Sequence, residues 1–498
     1  MDLMTPAELG DQARLMAMPI FLAFVGLVVL LSDLVFNRED ERRWPAYLTI
    51  AGLVGSLFLW VQTWLVYHPV ATDNAFFAAA RRLLGIQPLA QPEPLFNGMF
   101  DPVGFANLTL LASLIVVLVA LGVTLIAPAY LERRGLQRGE FYALLLFSTV
   151  GLILMAGSTH LIMIFLGLEL LSIPLYILAG FARPNLRSQE AALKYFLLGA
   201  FSSSFLLYGI ALIYGATGSM NLFEIRTLLL GDVQSGAPLI LQVGGGINLM
   251  LLAGLTMLLV GIGFKISLVP FHQWTPDVYE GAPTPVTALM VSGTKVAGFV
   301  ALVNILIAFV ALSEWWATLL AILALLTMIV GNIGAILQRN IKRMLAYSSI
   351  AHAGYMLVGV AGLALPNGGL VLPALILYLA VYALMNLGAF AVLIALEEAT
   401  EREVVEVEDF AGLGREHPVL GLLLGFFLLS LAGFPPTAGF FAKFFLFTGG
   451  ILAALPNQQG APTASWLFWL VVAAVVLSVV SIFYYARFIV AMFMTPRG

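Results

Sequence analysis

The chain has 498 residues, 61% hydrophobic and only 10% charged, whereas an ordinary soluble domain carries about 25% charged residues; a soluble protein of this length is excluded. With 23 Lys and Arg against 27 Asp and Glu, and a net charge of -4, there is no basic surplus to neutralise a phosphate backbone, so nucleic-acid binding has no electrostatic support. The absence of cysteine excludes a cysteine-ligated iron–sulfur cluster, a thiolate zinc site, any disulfide and any thiol nucleophile.

Apolar runs of about 20 residues, each enough to cross a ~30 Å hydrocarbon core as a helix, recur along the whole chain. The first, near 16–36, follows a mixed acidic and basic start and lacks a small-residue cleavage site, so it reads as a span and not as a signal peptide. The others are expected at 46–66, 103–127, 141–158, 160–180, 189–214, 247–272, 285–310, 315–336, 344–363, 370–395, 419–448 and 466–494, thirteen in all. Three connections are long: 67–102 and 215–246, which carry Pro and Gly, and 396–418, whose acidic start has room for a short surface helix. The fold class is therefore an all-α polytopic membrane protein. Its expected parts are spans 1 and 2 with an external loop (1–102), span 3 with a cytoplasmic loop (103–140), and two five-span units, 141–310 and 315–494.

Alternate loops test the orientation, because Lys and Arg accumulate on the cytoplasmic side. One side holds fourteen: Arg38, Arg42, Arg43, Arg133, Arg134, Arg138, Arg183, Arg187, Arg339, Lys342, Arg343, Arg402, Arg415 and Arg497. The other holds four: Arg14, Arg81, Arg82 and Arg226. This asymmetry places the N-terminus outside and the C-terminus inside. The remaining five, Lys194, Lys265, Lys295, Lys443 and Arg487, fall within spans.

Four of the five lysines thus sit in apolar runs, while arginine serves nearly every loop. Lysine at the bilayer centre costs roughly 2.5–3.5 kcal/mol, so these residues need partners, water or a role. Glu169 joins them, about ten residues from either end of its span. Two readings stand: buried ion pairs that fix helix register together with lysines snorkelling to an interface, Lys194 above all; or a proton relay. Lysine suits a relay because burial lowers its affinity for a proton and a nearby carboxylate restores it. Two spans are broken by proline near a buried lysine, the first running from Lys265 to Pro270 and the second from Pro435-Pro436 to Lys443. Proline frees a carbonyl that in lipid must be satisfied by protein or water, and paired broken helices point to a transport site.

The spacing extends this to a repeat. Lys443 follows Lys265 by 178 residues and His352 follows Glu169 by 183. That offset covers five spans, an odd number, so spans 9–13 enter the membrane from the face opposite to spans 4–8 and form an inverted repeat. His352 reads either as a relay group or as a core histidine bonded to Ser348 or Tyr355 one turn away. His272, Trp274 and Tyr279 read equally as interfacial anchors.

The run from Phe264 and Lys265 through Pro270-Phe271-His272-Gln273-Trp274-Thr275-Pro276-Asp277-Val278-Tyr279-Glu280-Gly281-Ala282-Pro283 to Ala288 closely resembles the signature of the antiporter-like subunits of respiratory complex I and of Mrp sodium/proton antiporters. The stretch Ala192 to Gly209, and Gly433 to Lys443 with Lys in place of Glu, look like the N-type subunit of bacterial complex I. The resemblance covers about residues 103–494. It implies that Glu169 and Lys265 match the family's central carboxylate and broken-helix lysine, and Lys295 the connecting lysine. It further implies that Lys443 matches the terminal lysine, Lys194 the extra lysine of the N type, and His352 a relay position in the tenth span. Family members have fourteen spans; thirteen are read here.

The function so implied is a proton-translocating subunit of NADH:quinone oxidoreductase in a bacterial inner membrane, with M-, K-, J- and A-type membrane subunits as neighbours. It carries no cofactor of its own: FMN, iron–sulfur clusters and quinone are implied only for the complex, and no dinucleotide fingerprint follows a strand. An Mrp-type sodium/proton antiporter subunit and a structural membrane anchor of a redox complex are the alternatives. Glu169 and Lys265 are expected within reach of one another, directly or through one water, because neither is tolerable alone in the membrane.

Overall fold

A computed structural model describes residues 6–35, 43–67, 106–231, 242–243, 246–365, 367–456 and 464–496. The expected loop 67–102 lies outside these residues except for its first position, as do Arg38, Arg42, Arg81, Arg82 and Arg497. Helices dominate, as apolar runs without water to satisfy their backbone must be. They are α1 (Pro6–Val35), α2 (Trp44–Tyr67), α3 (Ala106–Arg133), α4 (Gly139–Gly157), α5 (Leu161–Ala179), α6 (Leu186–Thr217), the short α7 (Leu222–Leu230), α8 (Leu249–Lys265) and α9 (Trp274–Gly281). After these come α10 (Thr284–Ala308), α11 (Ser313–Leu337), α12 (Ile341–Gly362), α13 (Val371–Thr400), α14 (Pro418–Ala432), α15 (Ala438–Ala454) and α16 (Ser465–Met494). Asparagine starts four of them: Asn185, Asn221, Asn248 and Asn340 accept from the first free N–H groups of α6, α7, α8 and α12.

Among the described residues eleven helices are long and apolar enough to cross a membrane, and the shorter α8, α14 and α15 belong to the two proline-broken spans. This recovers the thirteen spans, with one correction. The seventh does not run to 272: helix α8 ends at Lys265, because Ser267 takes a positive φ of 61° and Pro270 can neither donate nor continue the helix. Two 3-10 and α turns, Val407–Phe410 and Leu413–Glu416, occupy the acidic connection.

The two five-span units show the same construction. In the first, Leu161 N donates to Met220 O and Leu222 N to Thr159 O; in the second, Ile341 N donates to Val405 O and Val407 N to Arg339 O. Each pair ties the start of a unit's second helix to the connection after its third. Close helix crossings repeat as well: a Cβ on Gly151 would lie 2.2 Å from Leu171 N, and one on Gly331 would lie 2.4 Å from Ala351 N. The register between the units is therefore 180 residues here, and it pairs His352 with Ser172 and Glu169 with Ser349. The expected match of Glu169 with His352 is off by three residues, which on a helix is nearly one turn along the same face.

Helices α10 and α12 are almost wholly buried, whereas α1, α2 and α16 are mostly not. These two central helices carry Lys295 and His352. The outer helices expose apolar side chains such as Leu34, Phe201 and Trp469, as a lipid-facing surface requires.

Candidate functional site

Four of the candidate residues are basic side chains enclosed in the interior: Lys265 at 2% exposure, Lys295 at 0%, Lys443 at 5% and His352 at 1%. Among the described residues no carboxylate lies within ion-pair distance of any of them, and each is met by neutral acceptors.

Lys265 is the last residue of α8, and its ammonium donates to Ser172 Oγ at 2.8 Å and Tyr195 OH at 2.9 Å. Tyr195 is held in turn by stacking on Trp274, with ring centroids 4.5 Å apart and planes 9° from parallel. Trp274 Nε1 donates to Phe264 O at 3.0 Å, just before the break. Trp274 and Tyr279 are fully buried, so they are core residues and not interfacial anchors.

Lys295 follows a π turn, Met290–Thr294, inside α10, a distortion that recurs at functional positions in helices. Its ammonium donates to Ile266 O, the carbonyl released at the break. Gly298, one turn on, allows that approach, since a Cβ there would stand 2.3 Å from Ile266 Cγ2. Lys443 repeats the device in the second unit, donating to Leu431 O at 3.0 Å, Ala432 O at 2.9 Å and Ser478 Oγ at 2.8 Å. Both ammonium groups thus sit at the negative end of a helix, on carbonyls without an intrahelical partner. Lys265 precedes its break while Lys443 lies in α15, beyond its own, so the two reach their breaks from opposite sides. The shared lysine spacing therefore does not make them the same position.

His352 bonds neither Ser348 nor Tyr355. Its Nδ1 meets Tyr378 OH at 2.8 Å and its Nε2 meets Tyr485 OH at 3.3 Å, and the Tyr485 hydroxyl goes on to Ser348 Oγ. Tyr355 lies beneath Lys443 instead, with the ammonium 5.2 Å from the ring centroid, and its hydroxyl accepts from Asn332 at 3.0 Å.

Glu169 and Lys265 are not an ion pair. Lys265 grips Ser172, one turn along α5 from Glu169, and Glu169 Oε1 is buried without a hydrogen-bond partner. Lys194 stands apart from the other five residues: its side chain is 41% exposed and pairs with Asp277 at 2.6 Å and Glu190 at 2.7 Å. Lys342, which reads in sequence as a loop charge, is buried at 5% and donates to Ala282 O at 2.7 Å. Arg487 caps the end of α11 through Ile336 O and Gln338 O. Asp277 lies outside every span; burial pushes its carboxyl up, but hydrogen bonds from Lys194 and Arg343, and their charges, outweigh this and hold it below its ordinary value.

Sequence reasoning missed the hydroxyl partners Ser172, Tyr195, Tyr378, Ser478 and Tyr485. Their chemistry matters: a carbonyl only accepts, whereas a hydroxyl can accept from an ammonium or donate to an amine. Lys265, with two hydroxyl partners, keeps hydrogen bonds in either protonation state, and so does His352 in either tautomer.

Residues 158–461 match the family described as NADH:quinone oxidoreductase/Mrp antiporter, transmembrane. The NADH-quinone oxidoreductase subunit N of Trichlorobacter lovleyi is 44% identical over 479 residues, covering 96% of this chain and 86% of that protein. A chain of respiratory complex I from Thermus thermophilus, solved with bound aureothin, superposes with a TM-score of 0.70 at 34% identity over 97% of this chain and 91% of its own. A chain of the Mrp complex from Dietzia, 21% identical and covering 97% and 80%, shares the fold at a TM-score of 0.71.

Proposed function

This chain belongs to the NADH:quinone oxidoreductase/Mrp antiporter family, and from that premise we propose that it is the N-type, proton-translocating membrane subunit of an NADH:quinone oxidoreductase. One observation carries the reading: Lys265, Lys295, His352 and Lys443 are buried on neutral acceptors, two of them on carbonyls at helix breaks. A buried ammonium without a counter-ion is costly, and such a group is repaid by a role in which it sheds its proton.

In this relay Lys265 and His352 are the groups that exchange protons, because their hydroxyl partners serve both states. Lys443 shares this property through Ser478, and Lys295 stands on the carbonyl of the first break. Glu169, with an unpartnered oxygen one turn from Ser172, is the carboxylate that biases Lys265. Lys194 acts outside the buried line, through α9. The arginine distribution supports an N-terminus outside a bacterial inner membrane. Redox chemistry belongs to other chains of the complex, which carry FMN, iron–sulfur clusters and quinone, and M-, K-, J- and A-type subunits are the neighbours within the membrane.

The test is Lys265→Ala in the complete complex reconstituted into sealed vesicles. Proton uptake coupled to quinone reduction is expected to fall sharply while the complex still assembles, and added sodium should neither replace protons nor restore the loss. Full pumping would refute the reading, and sodium-driven exchange would favour the Mrp-type alternative.

A further inference from the structure

Helix α9 is gripped on two faces. On its inner face Trp274 stacks on Tyr195, whose hydroxyl holds Lys265. On its outer face the two oxygens of Asp277 go to different units: Oδ2 to Lys194 of α6 at 2.6 Å, and Oδ1 to Arg343 of α12 at 2.6 Å. Arg343 also takes Glu280 at 2.9 Å, and its neighbour Lys342 takes the carbonyl of Ala282 that follows α9.

Lys194 and Tyr195 are consecutive, so one turn of α6 holds α9 from outside and Lys265 from inside. Ion pairs as exposed as Arg339 with Glu408, at 76% and 62%, contribute little. Asp277 differs: it is 30% exposed, both oxygens are used at short distance, and it lies outside the buried line.

We propose that Asp277 is a positioning residue for proton transfer, tying α9 to both repeats so that the Trp274–Tyr195 stack keeps Lys265 on its hydroxyl partners. This rests on the reading of Lys265 as a relay group. Removing the carboxylate leaves Lys194 to Glu190 of its own helix and Arg343 to Glu280 alone, loosens α9 against α6 and α12, and lets Tyr195 move from the Lys265 ammonium. The tie also makes α9 a point where a shift of the second unit reaches the first unit's lysine.

The experiment compares Asp277→Asn, Asp277→Glu and Lys265→Ala in the complete complex, reading protons taken up per quinone reduced and backbone amide exchange over 274–281. Asp277→Asn is expected to speed exchange there by about three- to tenfold and to lower the proton-to-quinone ratio by roughly half. Asp277→Glu, which keeps the charge, should recover most of both. Should Asp277→Asn fail to assemble, Lys194→Met removes the tie to one unit only, and the same two readouts should move in the same direction. Wild-type ratio and exchange in these variants would overturn the proposal, as would faster exchange with an unchanged ratio. Lys265→Ala separates the two ideas: if it pumps fully the relay itself fails, whereas loss in Lys265→Ala with a normal ratio in Asp277→Asn sinks the positioning role alone.

Discussion

Gly433 closes α14 at a φ of 84°, directly beneath the lysine of the second break. Alanine at that φ costs about 1–2 kcal/mol in backbone strain. Its Cβ would stand 2.9 Å from Lys443 Cδ, 3.2 Å from Nζ and 3.4 Å from Cε, inside the ~3.5–4.0 Å of ordinary contact. Lysine is the flexible partner, so its side chain moves, by about half an ångström. Its bonds to Leu431 O and Ala432 O, now 3.0 and 2.9 Å, then pass the ~3.2 Å limit of a good N–H···O bond. A hydrogen bond to a charged group is worth about 1.5–3 kcal/mol, so losing one adds that much to the strain. The total of about 2.5–5 kcal/mol falls on the Lys443 site, so Gly433→Ala should clearly lower proton pumping in vesicles matched for assembled complex. Gly425→Ala, on the same helix with nothing within 4 Å of its Cβ, should pump normally. Wild-type pumping by Gly433→Ala would refute the claim that the position of the Lys443 ammonium matters.

Tyr195→Phe keeps the stack on Trp274 but removes the hydroxyl at 2.9 Å from Lys265, at a cost of about 1.5–3 kcal/mol; pumping should drop about tenfold or more while thermal stability of the detergent-solubilised complex changes less. Lys342→Met replaces a buried ammonium that has one hydrogen bond with an apolar chain of similar length, and a melting curve should show stability unchanged or raised, whereas a large loss would mean that the bond to Ala282 is essential. The pH dependence of α9 follows from Asp277. A carboxyl held below its ordinary value contributes stability fully above the unfolded pKa of about 3.9 and loses it as pH falls through the lower folded value. Amide exchange over 274–281, corrected for its intrinsic pH dependence, should therefore stay flat from pH 8 to about 5 and rise only below about pH 4, and Asp277→Asn should abolish that rise.

Much of the architecture is readable from hydrophobic length alone, because a span must be long, apolar and helical, and the breaks announce themselves at Pro270 and Pro435-Pro436. The burial of Lys265, Lys295 and Lys443 is readable for the same reason: each falls within a long, mainly apolar run. Two lysines show where this logic ends. Lys342 follows Arg339 and Asn340 and precedes Arg343, so it reads as a loop charge, yet its side chain turns inward onto Ala282 O. Lys194 lies among apolar residues but faces Asp277, a contact 83 positions away that no local pattern encodes. The hydroxyls that meet Lys265 and His352 were not legible because isolated Ser and Tyr in apolar helices carry no periodic signal. The three-residue slip between Glu169 and His352 arose because two positions one turn apart share a face, and only backbone contact at Gly151 and Gly331 fixes the register.

The central claim is that Lys265 gives up and regains a proton during turnover. Arginine in its place keeps the positive charge but does not release a proton near neutral pH. The decisive measurement is therefore proton uptake per quinone reduced by the complete complex carrying Lys265→Arg in sealed vesicles, at an assembly level matched to the wild type. The relay predicts a ratio well below wild type with the complex intact; a wild-type ratio would make Lys265 a fixed charge and contradict the account.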